Sequence, residues 1–188
     1  MKLDGQQPPL NATPEQLGRQ GGWISTYLGV PFWPMDPRIE DVRLEDIAHA
    51  LSRQCRFAGH CDRFYSVAQH CVHVSELVPF EHRLWALLHD APEAYLVDLP
   101  RPIKHSPGIG EEYQAVEANL MRVICRRFGL PFSEPASVKR ADEVMLETER
   151  RDLHPRGRWT MDVVPRNQVI LPWSPDFAKH EFLRMFHD

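Results

Sequence analysis

The chain has 188 residues, of which 43% are hydrophobic and 26% are charged, a globular composition that excludes disorder over most of its length. Its formal net charge of -4 supplies no general basic field, which disfavours a long nucleic acid as partner and leaves room only for a small anion held by local Arg and Lys residues. No apolar run approaches the roughly 20 residues of a membrane span, and residues 1–16 lack the apolar core of a signal peptide. We therefore expect a cytoplasmic protein with no membrane partner.

The predicted elements follow the chain as a series of helices. We expect residues 1–22 to form a flexible N-terminal segment and residues 23–188 to form a single domain, since domains of this size are common. The aromatic run from Trp23 to Pro34 predicts a small hairpin or an extended arm. Apolar residues spaced three and four apart then predict helices at 41–54, 67–78, 81–91, 111–128, 136–153 and 178–186.

Prolines and glycines predict where these helices stop. Pro79 should end the helix that Ser66 caps, and Gly129 should end the longest helix. The stretch 98–110 contains three prolines and two glycines, so we predict no regular structure there. A further proline cluster covers 154–176. The predicted fold class is all-α, a compact helical bundle with a short extended N-terminal arm and a Pro-rich C-terminal loop.

The cysteine pattern argues against both a disulfide framework and a cysteine metal site. No C-x-x-C pair occurs, and the spacings are unlike those of zinc ribbons or fingers. Cys71 and Cys125 fall at apolar helical positions, where a small buried thiol is the usual interpretation. Any metal ligands are therefore expected among the histidines and carboxylates.

Two histidines and two aspartates form a candidate metal site. His70 lies next to the apolar stripe of its predicted helix, while His89 and Asp90 end the following helix, which a short loop should make antiparallel to the first. Asp142 is the best fourth candidate, because it borders the apolar face of a later helix. Buried imidazoles and carboxylates cost free energy unless they are paired, and one metal ion would pair with all four. The alternative is that the histidines are structural, since the chain has ten of them.

This mixed set of nitrogen and oxygen donors indicates which ion would bind. It suits Mn, Fe, Co, Ni or Zn, with coordination positions left open for water and substrate. Bare Mg would be unusual with two imidazoles. Two more acids follow the pair His89–Asp90. Glu93 and Asp98 could orient or deprotonate a water at the metal, or they could be a helix-surface charge and a loop cap.

Cations near these acids could bind phosphate. Arg56 precedes an aromatic residue in a turn upstream of the first histidine, and Arg101 and Lys104 lie in the Pro-rich stretch after the acids. Lys104 could equally be a solvated loop lysine. Phe57 could stack on a nucleobase, although such aromatic residues more often belong to a core.

The pattern H…HD…D, here His70, His89–Asp90 and Asp142, resembles that of the HD-domain metal-dependent phosphohydrolase superfamily. The stretches EDIAHALSRQCRFAGHCDRFYSVAQHCVHVSEL and LLHDAPEAYLVDLPRPIK are similar to compact bacterial and phage members of the deoxynucleotidase kind. That group includes 5′-deoxynucleotidases and phage deoxyadenosine triphosphate triphosphohydrolases. The similarity covers residues 23 to 152.

The resemblance implies a role for each matching residue. The four histidines and aspartates would bind the metal, Glu93 would position or activate the attacking water, and Asp98 would be a second catalytic carboxylate. Arg56 and Lys104 would hold phosphate, and His60 would touch substrate. Phe57 stands where the deoxynucleotidases carry a tryptophan that helps to check the sugar, which leaves sugar selectivity and base preference open.

The implied reaction is hydrolysis of the 5′ phosphate ester of a deoxynucleotide. Because Arg101, Lys104 and Arg63 could serve three phosphates, we expect a dATP-type triphosphohydrolase that releases deoxynucleoside and triphosphate. The alternatives are a 5′-deoxynucleotidase acting on monophosphates, a non-catalytic nucleotide sensor, and an HD-type oxygenase with His73 as an additional ligand. We further expect a homo-oligomer, either a dimer or a larger ring, located in the host cytoplasm if the gene belongs to a phage.

Overall fold

The computed structural model describes residues 18–154 and 156–188, so most of the expected flexible segment at 1–22 lies outside the described residues. Near the start of the described part, strand β1 (Ile24–Ser25) pairs antiparallel with β2 (Pro31–Phe32), and Ile24 is opposite Phe32. This small sheet confirms the hairpin that the aromatic run predicted. Apart from an isolated antiparallel bridge between Cys55 and Ser66, the rest of the ordered secondary structure in the described residues is helical.

Helices account for most of the described chain. Short 3₁₀ turns cover Ile39–Asp41, Phe57–Gly59 and Phe80–His82. The α-helices are α1 (Leu44–Arg53), α2 (Val67–Ser75), α3 (Arg83–Leu88), α4 (Glu93–Leu96), α5 (Arg101–Lys104), α6 (Ile109–Phe128), α7 (Ala136–Leu153) and α8 (Pro175–His187). Among the described residues, none of these helices has the length and apolar character that crossing a lipid bilayer requires.

The predicted helix ends are confirmed where a specific capping group was present. The hydroxyl of Ser66 accepts a hydrogen bond from the backbone N–H of Gln69 at 3.1 Å, so α2 begins at the predicted residue. Gly129 follows α6 in the left-handed conformation, with φ of 71°, as a helix-ending glycine should. Ser174 caps α8 in the same way as Ser66 caps α2, and α8 therefore starts at Pro175 rather than at Ala178.

Two predictions about the middle of the chain need correction. The helix predicted over 81–91 is shorter than expected, because a 3₁₀ turn covers Phe80–His82 and α3 extends only over Arg83–Leu88. The stretch 98–110 is not wholly irregular, since it contains α5. Pro100 precedes α5 and Pro102 lies in its first turn, where helical N–H groups have no intrahelical partner and a missing N–H therefore costs little.

Helix α2 occupies the centre of the fold. It packs against α1, α3, α7 and α8, and its apolar residues Val67 and Cys71 meet Leu87 and Leu88 of α3 in a fully buried core. Because α2 is covered on several sides, His70 is completely buried although it is polar. The fold therefore brings an imidazole into the interior, where it requires polar partners.

Candidate metal centre

His70, His89 and Asp90 bring their ligand atoms together in one compact cluster. One ligand atom from each lies within 4.8 Å of the other two. The two Nε2 atoms are 3.3 Å apart, and the Asp90 Oδ2 atom lies 3.2 Å from His89 Nε2 and 3.7 Å from His70 Nε2. Asp142 reaches the same cluster from α7, with its Oδ1 atom 3.2 Å from His70 Nε2. The four residues proposed as metal ligands therefore meet around one histidine nitrogen.

The outer nitrogens of both imidazoles face hydrogen-bond acceptors. His70 Nδ1 lies 2.6 Å from a Glu149 carboxylate oxygen, and His89 Nδ1 lies 2.7 Å from the backbone carbonyl of Ala86. Both contacts need an N–H donor, which places a proton on each Nδ1 atom. In the neutral imidazoles, the two Nε2 lone pairs then face each other and the nearby carboxylates. Such a group of electron-rich atoms is stable only with a cation or an added proton between them.

The electrostatics of His89 show the same demand for positive charge. Burial opposes the charged form of this ring, but the neighbouring Asp90 and Cys71 together outweigh burial and raise the pKa of His89 well above its ordinary value. Either a proton on His89 or a divalent ion beside it would supply this positive charge. His70, His89 and Asp90 could therefore hold a metal ion, with both imidazoles already in the tautomer that metal binding needs.

Glu149 completes this arrangement, and the sequence analysis missed it. Its side chain is fully buried, and its two oxygens are divided between His70 Nδ1 and Arg56 Nε, the latter at 3.2 Å. Burial would raise the pKa of Glu149, but Arg56 and His70 hold that pKa below its usual value. A signal was present in the sequence, because Glu149 lies four residues after buried Met145 and seven after Asp142, on the inward face of α7.

Replacing Glu149 with glutamine is expected to weaken binding of Mn or Co by about 10- to 100-fold, the usual effect of losing a carboxylate that orients a ligating histidine. The oxygen of the glutamine amide can still accept a hydrogen bond from His70 Nδ1–H, but the amide carries no negative charge to raise the basicity of the ring. Titration calorimetry would measure the change. Glu143→Gln on the same helix is the matched control, since Glu143 pairs with the exposed Arg140 at 3.5 Å and is not among the clustered ligands. Equal affinities in the two variants would contradict this role for Glu149.

Arg56 connects the cluster to its surroundings. Its Nη1 atom lies 3.4 Å from Asp90 Oδ2 while its Nε atom contacts Glu149, and only 11% of the side chain is exposed. Although burial lowers the pKa of an arginine, Glu149 and Asp90 raise the pKa of Arg56 well above its ordinary value. The guanidinium is therefore a fixed positive charge beside the candidate metal ligands.

The residues after Arg56 form a strained turn with an aromatic surround. Phe57 and Ala58 both have positive φ, 56° and 51°, a conformation that residues other than glycine rarely adopt. The Phe57 ring packs edge-on against His154 at 4.4 Å between centroids and lies 6.2 Å from Trp159, both from the C-terminal part of the chain. The Arg56 guanidinium lies 5.4 Å from the same ring. The Pro-rich loop thus contributes aromatic groups that sequence reasoning had not assigned.

Glu93 and Asp98, the two predicted acids, are not fully exposed to solvent. Glu93 is only 7% exposed, so its interpretation as a surface charge is wrong. Its Oε2 atom is buried without a hydrogen-bond partner among the described residues. Burial and the negative charges of Asp90 and Asp98 raise the pKa of Glu93 well above its usual value. Burial also raises the pKa of the Asp98 carboxyl.

The remaining predicted substrate contacts are more exposed. Lys104 is half-buried, and its ammonium group pairs with a Glu117 oxygen at 2.7 Å. Arg101 is exposed in the first turn of α5, and His60 is exposed just after the Phe57–Gly59 turn. The structure therefore does not draw Arg101 or His60 into the buried cluster.

His73, the additional ligand of the oxygenase alternative, belongs to a different polar group. Its Nδ1 atom lies 3.2 Å from Glu76 and its Nε2 atom 3.3 Å from the Gln69 amide nitrogen. Arg166 also approaches Nδ1, at 3.2 Å. Within the part of the chain that the structure describes, the compact ligand cluster includes His70 and not His73. The structure therefore offers no support for the oxygenase alternative.

The fold and this cluster together define a mostly helical protein with a histidine–carboxylate group that could hold a metal ion. No family model matches the chain. It is 40% identical over 171 residues to the uncharacterized protein YfdR of Escherichia coli strain K12, which covers 88% of this chain and 94% of YfdR. It is 41% identical over 116 residues to an uncharacterized protein of Rhodobacter capsulatus, covering 57% of this chain and 58% of that protein. The chain belongs to the same family as YfdR.

Proposed function

We propose that this protein is a metal-dependent phosphohydrolase of the HD-domain superfamily, which cleaves the 5′ phosphate ester of deoxynucleotides. The observation that carries the proposal is the meeting of His70, His89 and Asp90 in one cluster, with Asp142 3.2 Å from its central nitrogen. The largely buried Arg56 pairs with Asp90 of the same cluster, and the buried Glu93 follows Asp90 by three residues. Positive charge for a phosphate and a group for moving a proton are thus available beside the candidate metal ligands.

The donor set fits a divalent transition metal. Two imidazole nitrogens and two carboxylate oxygens suit Mn, Fe, Co, Ni or Zn better than Mg. His70, His89, Asp90 and Asp142 would hold the ion, and Glu149 would keep His70 in the required tautomer. When bound, the ion would supply a Lewis acid for the phosphate and for the attacking water.

The surrounding side chains would carry the other steps. Glu93, whose pKa is raised by burial and by its acidic neighbours, would exchange a proton with the attacking water. Arg56 can donate hydrogen bonds to the phosphoryl oxygens, where negative charge spreads as the ester bond breaks. The leaving sugar alkoxide takes a proton from water or from a nearby acid such as Asp98.

The length of the phosphate chain separates two candidate reactions. The triphosphate reaction that we expected relies on Arg101 and Lys104 for the outer phosphates. However, Lys104 is already paired with Glu117, which reduces the positive charge it can offer. This pairing favours the second candidate, a 5′-deoxynucleotidase acting on monophosphates.

A substrate panel tests the proposal and decides between these reactions. Deoxy- and ribonucleoside mono- and triphosphates would be incubated with the protein and Mn, Co, Zn or Mg, and the products assayed for phosphate and tripolyphosphate. We expect hydrolysis of at least one deoxynucleotide with a transition metal. Tripolyphosphate from dATP would identify the triphosphohydrolase, and phosphate from a monophosphate the nucleotidase. Tight nucleotide binding with no product from any substrate would contradict the enzyme and support the sensor alternative.

A further inference from the structure

Gln54 lies between the helix that precedes the site and the helix that carries His70. Its N–H donates to the carbonyl of Ala50 at 3.2 Å, which ends α1, and its carbonyl accepts from the Val67 amide at 3.1 Å, at the start of α2. The next residue takes part in the bridge between Cys55 and Ser66. The main chain of Gln54 is therefore fixed on both sides, two residues before Arg56.

The side-chain amide of Gln54 holds a different part of the site. Its Nε2 atom donates to the backbone carbonyl of Glu93 at 2.8 Å, and its Oε1 atom accepts from the backbone N–H of Asp98 at 3.3 Å. A carbonyl can only accept and an N–H can only donate, so these two partners also determine which way the amide is turned. One side chain thus binds the main chain of both acidic residues.

The segment from Glu93 to Asp98 needs such external support. Helix α4 has only four residues, too few to be stable by itself. It ends at Leu96, and the next residue, Val97, is 61% exposed and has a positive φ of 74°, an unfavourable conformation for a β-branched residue. The Tyr113 hydroxyl donates to the Val97 carbonyl at 2.5 Å, from the α6 side. Gln54, at the end of α1 and two residues before Arg56, binds the same segment at Glu93 and Asp98.

We propose that Gln54 is a positioning residue that sets the distance of Glu93 and Asp98 from Arg56 and from the His70 helix. The inference rests on the proposed function, because it assigns Gln54 to the same reaction. The side chain of Gln54 acts only through its hydrogen bonds to the main-chain atoms of Glu93 and Asp98. Without them, the Asp98 N–H loses its partner and the carboxylates can move while the metal ligands stay in place.

The test compares the wild-type protein with Gln54→Met, which removes both hydrogen bonds, and Gln54→Glu, which keeps only the acceptor. For Gln54→Met we expect kcat to fall on the order of 10- to 100-fold, the usual effect of misplacing a catalytic group. KM and the dissociation constant for Mn should be unchanged. Amide hydrogen exchange at Asp98 should become about 3- to 10-fold faster in Gln54→Met but not in Gln54→Glu. Gln168→Met, at an exposed position, is the matched control.

The outcomes separate this inference from the proposed function. An active wild-type protein and an equally active Gln54→Met variant would overturn the inference alone, as would unchanged exchange at Asp98. A parallel loss of metal binding would also overturn it, because it would show a general disturbance of the site. If the wild-type protein hydrolyses no nucleotide, the proposed function fails and the catalytic role of Gln54 fails with it.

Discussion

Replacing Asp90 with asparagine is expected to abolish nucleotide hydrolysis and to leave the helical fold intact. The Asp90 carboxylate approaches both histidine Nε2 atoms, at 3.2 Å from His89 and 3.7 Å from His70, and asparagine has the same shape without the negative charge. Because losing an outer-shell partner already costs about 10- to 100-fold in metal affinity, losing a direct ligand should cost at least about 100-fold. Metal content after dialysis, circular dichroism and initial rates would measure the three effects.

The control for this variant is Asp176→Asn. Asp176 is paired with Arg53 at 2.8 Å, but its side chain is 88% exposed, so the same chemical change there removes a solvated ion pair. Such pairs contribute little, so we expect normal activity and normal metal content. Full metal content and wild-type turnover in Asp90→Asn would contradict the candidate metal centre.

Replacing Glu93 with glutamine is expected to lower kcat by about 10²- to 10⁴-fold, the range in which a general acid or base contributes. Metal binding should be retained, because Glu93 is not among the clustered ligands. Stability should not fall, since the neutral amide no longer opposes burial or the nearby charges of Asp90 and Asp98. Loss of rate without loss of stability is the pattern of a functional side chain, whereas a structural one would lose both.

Glu112→Gln provides the comparison for Glu93, since Glu112 is an exposed glutamate in the first turn of α6. Rates would be measured at saturating Mn, and the melting temperatures of both variants compared with that of the wild type. A Glu93→Gln protein that turns over substrate at the wild-type rate would eliminate its role in proton transfer. A lower melting temperature together with lost metal would instead make Glu93 part of the scaffold.

The buried polar network has a physical reason beyond packing. His70, Arg56 and Glu149 lie in the interior, where an unpaired charge costs several kcal/mol. Each of them is paired, and the pairs meet at the candidate metal ligands. Replacement by well-packed apolar residues is often neutral or stabilising for such buried pairs. The network is therefore better explained by the demands of the site than by those of the fold.

Part of the site could be predicted because helical periodicity places residues on faces. The position of Asp142 beside an apolar stripe predicts a buried carboxylate, and the structure places its Oδ1 atom 3.2 Å from His70 Nε2. The same reasoning applied one turn beyond Met145 would have found Glu149. Phe57 could be selected from its neighbours, but its packing against His154 and Trp159 could not, because those residues are about a hundred positions away and no local pattern links them.

The sequence by itself determined the helices with strong periodicity or a clear cap, such as α7 at 136–153 and α2 behind Ser66, because the forces that form them act between residues a few positions apart. It also determined which residue types were available for a metal. Only the tertiary structure decided that Glu149 is hydrogen-bonded to His70 and that Lys104 is paired with Glu117. It also decided that the Gln54 side chain binds the main chain of Glu93 and Asp98. Those contacts join distant segments, and they depend on how the helices pack rather than on local propensity.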